Sequence, residues 1–300
     1  MPRRIIIDTD PGIDDAVAIL LAFASPELEV LGLAAVAGNL PLSITERNAR
    51  SLIELVGRGD IPVFAGCPRP MGRPLVSAEH IHGGSGLGEL VLPPPTVPSR
   101  PEHGVDFLIA KLRAAAPNSI TLCALGPLTN IAVALVMAPE IAAGIEELVV
   151  MGGASRVPGN MTPTAEFNIY VDPHAAALVL DSGVPITMIP LDVTAELRGT
   201  LEHLAPLRRL ATRCGAAAVS LISPGVAMHD PCVIAYLIAP ELFQGRQVNV
   251  AVETRSPLAM GMTVVDWRGG SGRPPNARFI EAIDGDGFFR LLSERIARLP

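Results

Sequence analysis

The sequence DTDPGIDDAVAIL, residues 8–20, places four aspartates within eight positions and then becomes apolar. It follows RRIII at residues 3–7, a short run with the composition of a buried strand. Carboxylates this close raise one another's pKa and destabilise a fold unless a cation lies among them. The stretch therefore predicts a strand that ends at a divalent metal site. A helix should follow, with Asp14 and Asp15 capping its first turn.

Beyond this stretch, apolar strand-like runs alternate with helix-like segments along most of the chain. This alternation is typical of an α/β fold with an open, mostly parallel central sheet and helices on both faces, as in Rossmann-like proteins. Three later apolar runs predict a small antiparallel ribbon near the C-terminus. We expect one domain spanning residues 1–300, in which the irregular segments 66–104 and 221–229 serve as active-site loops.

The composition excludes several classes of protein. The formal charge of −7 and the lack of a basic run argue against a nucleic-acid surface. The four cysteines are scattered, without a CxxC pair, and predict buried apolar thiols instead of a zinc site or disulfide framework. The N-terminus has too few apolar residues for a signal peptide, and the uncharged stretch 114–139 is interrupted by Pro, Gly and Asn. We therefore expect a cytoplasmic protein that associates with neither membranes nor nucleic acids.

Candidate site residues lie where several predicted strands end. Asp10 and Asn39 follow the first two strands, and Leu125 and Met151 end two later ones. The carboxyl ends of parallel strands share one edge of the sheet, where α/β proteins bind ligands. These positions are therefore expected to lie close together.

The aspartates predict a site for a hard cation, because carboxylate oxygens suit Ca²⁺ or Mg²⁺. Asp10, Asp14 and Asp15 supply such oxygens, and Asp230, at the start of a helix after a loop, is the distant acid that completes the set. His229 precedes Asp230, which would place an acid or base group beside the metal site.

Two irregular stretches add further polar groups. HIHGGSGLG, residues 80–88, offers His80 and His82 on a glycine-rich segment, and we favour His82 for a role. A later segment presents Asn160, Glu166 and Asn168, a donor and acceptor set that matches the hydroxyls of a sugar.

Seven collinear segments together resemble the inosine–uridine-preferring nucleoside hydrolases. They span nearly the whole chain: DTDPGIDDAVA (8–18), AVAGN (35–39), HGGSGLG (82–88), ALGPLTNIA (124–132), VVMGGA (149–154), AEFNIYVDPHAA (165–176) and HDPCVIAYLIAPELF (229–243). The resemblance implies the nucleoside hydrolase fold and a calcium-dependent hydrolysis of the N-glycosidic bond of ribonucleosides. The products would be ribose and a free nucleobase, formed through an oxocarbenium-like transition state. Homodimers or homotetramers acting in nucleoside salvage are also implied.

The resemblance further assigns roles to individual residues. The implied calcium ligands are Asp10, Asp15, Asp230 and the main-chain oxygen of Leu125. Asp10 would also be the general base toward the attacking water. The ribose hydroxyls would be held by Asp14, Asn39, Asn160, Glu166, Asn168 and Asp230. Met151 would line the sugar pocket, and Ile81 and His82 would lie near the nucleobase. His229 would be the candidate acid for a purine leaving base, although whether His229 or His82 protonates the base stays open.

Some alternatives stay open at this point. The stretch 212–228 before His229 lacks the tyrosines that some purine-active members carry there, so the sequence does not rank purines against pyrimidines. A phosphohydrolase with a DxD nucleophile, formed by Asp8 and Asp10, is one rival, although Lys111 is the chain's sole lysine. A non-catalytic protein that binds nucleosides or ribose is the other.

Overall fold

Side chains of the first strand alternate between two hydrophobic cores. Ile5 and Ile7 pack in one core and Ile6 in the other, and all three are fully buried. Successive side chains of a strand point to opposite sides, so this pattern requires a strand that is covered on both faces. The computed structural model describes residues 1–300 and places this strand within a nine-stranded sheet.

The strands of this sheet are parallel except at one end. They are β1 (Arg3–Thr9), β2 (Leu28–Ala35), β3 (Val63–Ala65), β4 (Ile120–Ala124), β5 (Ile145–Met151), β6 (Ile186–Ile189), β7 (Phe243–Val252), β8 (Thr263–Asp266) and β9 (Ala277–Ile283). Their spatial order is β3-β2-β1-β4-β5-β6-β9-β7-β8. All neighbours from β3 to β9 in that order are parallel, whereas β7 is antiparallel to both β9 and β8.

The strand order reverses beside β1. This strand lies between β2 and β4, so the chain builds the sheet outward in one direction and then in the other. Such a reversal opens a crevice at the carboxyl ends of the two central strands, where α/β proteins bind ligands. The residues that follow β1 and β4 border this crevice.

Helices cover both faces of the sheet. They are α1 (Ile13–Phe23), α2 (Leu42–Leu55), α3 (Glu79–His82), α4 (Gly104–Arg113), α5 (Thr129–Met137), α6 (Phe167–Val171), α7 (Pro173–Leu180), α8 (Leu191–Thr194), α9 (Leu201–Arg208), α10 (Arg213–Leu221), α11 (Pro231–Ile238) and α12 (Gly285–Ile296). Helices α1, α2, α9, α10, α11 and α12 contribute to the core that contains Ile5 and Ile7, and α4, α5 and α7 to the core that contains Ile6. The predicted fold class is therefore confirmed.

The C-terminal strands confirm the antiparallel portion but do not form a separate ribbon. Strand β9 also pairs in parallel with β6, with Thr187 opposite Arg278 and Met188 opposite Phe279. Phe279, Val248 and Val250 are buried in the core beneath α4, α5 and α7. The ribbon therefore extends the main sheet, because its apolar face needs the same core for burial.

Two exclusions drawn from the sequence can be compared with the structure. All four cysteines are buried free thiols, as predicted. The longest helix, α2, has 14 residues, and no helix is both long and apolar enough to cross a lipid bilayer.

The packing of Phe279 on β9 leads to a prediction about stability. Phe279 is fully buried and meets Trp267 edge-on, with ring centroids 5.3 Å apart. We expect Phe279→Ala to lower the free energy of unfolding by about 3–5 kcal/mol, because it leaves a cavity in the core. Urea denaturation followed by circular dichroism measures the loss. The control Val264→Ala, at a largely exposed position on the edge strand β8, should change stability by less than about 0.5 kcal/mol. Similar losses in both variants would contradict the packing described here.

Candidate active site

A cavity of about 290 Å³ opens at the carboxyl edge of the sheet, beside the crevice between β1 and β4. Most of the residues predicted for the site line its wall: Asp14, Asn39, Ile81, His82, Leu125, Met151, Asn160, Glu166, Asn168, His229 and Asp230, together with His80. Asp10 and Asp15 are not in the wall. They are fully buried, and both accept hydrogen bonds from Asn39, which does line the wall.

Asp10 follows β1 directly and has one oxygen without a partner. Its Oδ2 accepts a hydrogen bond from the main-chain N–H of Asn39 at 2.6 Å, whereas its buried Oδ1 has no hydrogen-bond partner. Gly38 and Gly126 lie so close to this carboxylate that a Cβ at either position would overlap it. The two glycines in AVAGN and ALGP therefore allow the main chain to enclose Asp10.

Asp15 holds the loop between β1 and α1. It accepts hydrogen bonds from Thr9 Oγ1 at 2.5 Å, the N–H of Gly12 at 3.0 Å and Asn39 Nδ2 at 3.1 Å. The sequence predicted that this carboxylate would cap the free N–H groups of the first helical turn. It caps the helix start as predicted, because Asp15 is the third residue of α1 and accepts from the N–H of the N-cap residue Gly12, as in a capping box.

Carboxylates from both ends of the chain converge where α1 and α11 begin. Oxygens of Asp14, Asp15 and Asp230 lie within 4.8 Å of one another. Burial, together with the negative charges of Asp14, Asp15 and Asp10, raises the pKa of Asp230 well above its ordinary value. Burial and the charge of Asp15 also raise the pKa of Asp10. None of the ion pairs in the chain includes these four residues, so the group lacks positive charge.

Asn168 links the ends of two central strands. Its Nδ2 donates to the main-chain oxygen of Leu125 at 2.7 Å and to that of Met151 at 3.2 Å. Both hydrogens of the amide are thereby used within the protein. The main-chain oxygen of Leu125, the predicted ligand, keeps a second lone pair that can face a cation.

Glu166 caps the short helix α6 from the cavity wall. Its carboxylate accepts hydrogen bonds from the N–H groups of Asn168, Ile169 and Gly153 at 2.8–3.1 Å. Burial raises its pKa to about 7. Asn160 uses its Oδ1 to accept from the N–H of Phe167 at 2.9 Å, which leaves the Nδ2 of Asn160 free to donate toward the cavity.

Two histidines in the wall have their Nδ1 atoms occupied. His82 Nδ1 accepts a hydrogen bond at 3.0 Å from the N–H of Ile13, in the first turn of α1. His229 Nδ1 lies 2.8 Å from the hydroxyl oxygen of Thr194. Burial lowers the pKa of His229, and the positive charge of Arg198 contributes to this lowering.

Asp8 belongs to the acidic stretch but has a different environment. It is fully buried within β1, and one of its oxygens accepts a hydrogen bond from Asn130 Nδ2 at 2.8 Å. Burial raises its pKa to about 7. Asn130 in turn accepts from the N–H of Cys67 at 2.7 Å, so Asp8 anchors the start of segment 66–104 and does not line the cavity.

The sequence analysis missed Thr194 and much of the apolar wall. Thr194 lies shortly after β6, so the rule that polar residues follow strand ends could have identified it. The apolar part of the wall includes Phe167, Val226 and Met228. No periodicity distinguishes these residues from ordinary core or surface positions, because they lie in loops or at a helix start.

Comparisons with known proteins match this architecture over nearly its full length. A protein-family model described as inosine-uridine preferring nucleoside hydrolase matches residues 5–290. An uncharacterized protein of Schizosaccharomyces pombe is 47% identical, covering 99% of this chain and 100% of its own. The pyrimidine-specific ribonucleoside hydrolase RihA of Photobacterium profundum is 42% identical, with 99% of each chain covered.

A solved structure supports the same relationship. The purine-preferring ribonucleoside hydrolase from Gardnerella vaginalis superposes with a TM-score of 0.91 at 30% identity, covering 98% of each chain. The family model and the relatives set aside both the phosphohydrolase and the non-catalytic alternatives. The chain belongs to the inosine-uridine preferring nucleoside hydrolase family, and it is a ribonucleoside N-ribohydrolase that acts on N-glycosyl bonds.

Proposed function

We propose that this enzyme is a calcium-dependent ribonucleoside hydrolase in which Asp10 is the general base and His229 the acid for the leaving base. The observation that carries the proposal is the convergence of buried carboxylates from residues 10–15 and from residue 230 beside one cavity. A polar, strongly acidic group at the base of a cavity suits a cation and a substrate that becomes positively charged in the transition state.

The residues present fit a hard divalent cation. Asp10 Oδ1 is buried without a hydrogen-bond donor, and Asp14, Asp15 and Asp230 bring three oxygens within 4.8 Å. All of the available ligands are oxygens, which favours Ca²⁺ over softer metals. Asp10, Asp15, Asp230 and the main-chain oxygen of Leu125 would hold the ion, with Asp14 close enough to contact it or a ribose hydroxyl. A bound Ca²⁺ would supply Lewis acidity and neutralise the carboxylates.

The remaining polar wall is proposed to hold the ribose. Asn160 keeps a free amide donor, and Asn168 keeps its Oδ1 as an acceptor because its nitrogen is fully used. Asn39 and Glu166 lie in the same wall, and Met151 supplies an apolar contact. Hydroxyls need both donors and acceptors, and this set offers both.

The proposed reaction is a substitution at C1′ of the ribose. The bond between C1′ and the base nitrogen breaks, and its electron pair remains on the nitrogen. The oxygen of the attacking water bonds to C1′ and its proton passes to Asp10 Oδ1, which has no other hydrogen bond. His229 donates a proton to the departing base. Ribose and the free nucleobase are the products.

We propose pyrimidine ribonucleosides as the preferred substrates. Phe167 is the only phenylalanine, tyrosine or tryptophan in the cavity wall, so the wall offers little aromatic surface for the larger purine rings. The relative named pyrimidine-specific, at 42% identity, supports this preference. Ile81 and His82, together with His229, would lie on the base side.

We also propose that residues 1–300 act as one domain with segments 66–104 and 221–229 as active-site loops. Both segments contribute to the cavity wall, through His80, Ile81 and His82 and through Val226 to His229. We further propose that the enzyme forms homodimers or homotetramers and acts in nucleoside salvage in the cytoplasm. Exposed apolar side chains on α5 and α7, at Val136, Met137 and Leu178, support contact between copies.

A substrate panel tests the reaction and the preference together. We expect free ribose from uridine, cytidine and inosine, with kcat/KM about tenfold higher for the pyrimidines, a ratio within reach of pocket fit. A reducing-sugar assay measures ribose, and a phosphomonoester assayed for inorganic phosphate is the control. Phosphate release without ribose would contradict the reaction, and faster cleavage of inosine would contradict the preference.

Asp10→Asn tests the general base. The amide keeps the shape of the side chain but cannot accept the proton, so we expect kcat to fall by about 10²- to 10⁴-fold. The control Asp106→Asn removes an exposed carboxylate on α4 and should leave kcat unchanged. Turnover near the wild-type value in Asp10→Asn would refute the assignment.

Removal of divalent metal tests the calcium site with two readouts. A chelator should abolish turnover, and added Ca²⁺ should restore it. In thermal unfolding, Ca²⁺ at 100 times its Kd should stabilise the protein by about 2.7 kcal/mol, because the ion binds only the folded state. This stabilisation should be lost in Asp230→Asn. Turnover that survives the chelator, or equal stabilisation of the variant, would count against the site.

A further inference from the structure

The hydroxyl of Thr194 is the single hydrogen-bond partner of the His229 ring within the protein. Oγ1 and Nδ1 are 2.8 Å apart, and the threonine is fully buried at the last position of α8. The hydroxyl makes no other hydrogen bond. Thr194 is absent from the cavity wall, so it acts on the site only through the histidine.

The hydrogen-bonding capacity of the two groups fixes where the ring carries its hydrogen. A neutral imidazole has one N–H and one lone pair, whereas a hydroxyl can either donate or accept. If Nδ1 donated, the buried hydroxyl hydrogen of Thr194 would have no acceptor, which is costly. The hydroxyl therefore donates to Nδ1, and the hydrogen of neutral His229 lies on Nε2. When the ring is protonated on both nitrogens the hydroxyl accepts from Nδ1–H instead, and transfer of the Nε2 proton to the leaving base then leaves the neutral ring with its hydrogen on Nδ1.

A second histidine in the wall, His82, has the same arrangement. The N–H of Ile13 can only donate, so the His82 Nδ1 that it contacts carries a lone pair and Nε2 carries the hydrogen. In both rings, Nδ1 therefore forms a hydrogen bond with another group of the protein.

The stretch after Thr194 also fixes the main chain next to His229. The N–H of Met228 donates to the oxygen of Leu197 at 3.0 Å, and Arg198 pairs with Ala227 in an isolated antiparallel bridge. The Arg198 guanidinium donates to the oxygen of Gly225 at 2.7 Å. Residues 194–198 therefore hold both the ring of His229 and the loop that carries it.

We propose that Thr194 is a positioning residue for departure of the nucleobase. Its hydroxyl fixes the His229 ring so that Nε2, with its hydrogen, is the nitrogen available to the leaving base. This inference rests on the proposed function, in which His229 is the acid. Without the hydroxyl the ring can rotate or carry its hydrogen on Nδ1, and the leaving base then departs unassisted.

Kinetics of Thr194→Val and Thr194→Ser test the role. Valine keeps the shape without the hydroxyl, and we expect kcat on uridine to fall by about 10- to 100-fold with KM nearly constant. Cleavage of nitrophenyl riboside, whose leaving group needs no proton, should be unaffected. Serine should recover most of the rate. The double variant Thr194→Val/His229→Ala should be no slower than His229→Ala, because both changes remove the same interaction.

Thr187→Val is the matched control. Thr187 is a buried threonine in β6, and its hydroxyl donates to Glu147 Oε1 at 2.7 Å, away from His229. Its kcat should match the wild type. A Thr194→Val enzyme with wild-type kcat, an equal loss on nitrophenyl riboside, or additive losses in the double variant would each overturn the proposal.

Nitrogen NMR of histidine-labelled enzyme provides a readout that is independent of catalysis. The chain has six histidines, and the His229→Ala variant identifies the signals of His229. The neutral ring should carry its hydrogen on Nε2 in the wild type and Thr194→Ser, and lose this bias in Thr194→Val. An unchanged tautomer in Thr194→Val overturns the positioning role even if kcat falls. Wild-type turnover in His229→Ala contradicts the acid assignment and the role of Thr194 with it, whereas a slow His229→Ala beside a Thr194→Val with wild-type kcat overturns the role of Thr194 alone.

Discussion

The packing of α1 against α11 is the contact on which the site depends, because it forces carboxylates from both ends of the chain into one buried group. Both helices are strongly apolar and share one core, with Ile19 and Leu20 on α1 and Val233 and Ile234 on α11 all fully buried. Burying each such side chain contributes about 1.5–3 kcal/mol. Separating the acids would expose this apolar surface, so the core holds together groups that repel one another. A cation between the carboxylates would offset their electrostatic repulsion, which is the physical basis of the proposed metal site.

The two ends of the cavity are built differently. Asp10 and Asn39 come shortly after β1 and β2, and the side chains of Asn39 and Asn168 tie neighbouring strands together. The base side comes instead from segments 66–104 and 221–229, where Ile81 is 63% exposed and Val226 50% exposed. Segments with few buried contacts open at lower free-energy cost than the sheet does. In the proposed function, the cavity therefore combines a fixed end that would orient the sugar with an adaptable end that would admit and release the base.

The sequence predicted the fold class and the edge of the sheet at which the polar residues meet. Both follow from local patterns, namely alternation of apolar runs and polar residues at strand ends. The parallel pairing of β9 with β6 could not be predicted, because an apolar pattern reports burial and not which strand lies alongside. The hydrogen bond from Asn39 to Asp15 joins residues 24 positions apart, and the contact between Thr194 and His229 joins residues 35 positions apart. Such pairings arise only from tertiary structure, and the proposed roles of the site residues stay predictions.

The partners of the two histidines also bear on which of them is the proton donor in the proposed reaction. His82 accepts a hydrogen bond at Nδ1 from a main-chain N–H, and a second hydrogen on that nitrogen would bring two donors together. Its chemistry is therefore confined to donating a hydrogen bond from Nε2. His229 faces a hydroxyl, which can reverse its role when the ring gains or loses a proton. Protonation of the ring must precede transfer of the Nε2 proton, and it breaks no scaffold hydrogen bond at His229 but would break one at His82. This difference favours His229 as the acid and leaves His82 as a fixed hydrogen-bond donor that orients the nucleobase.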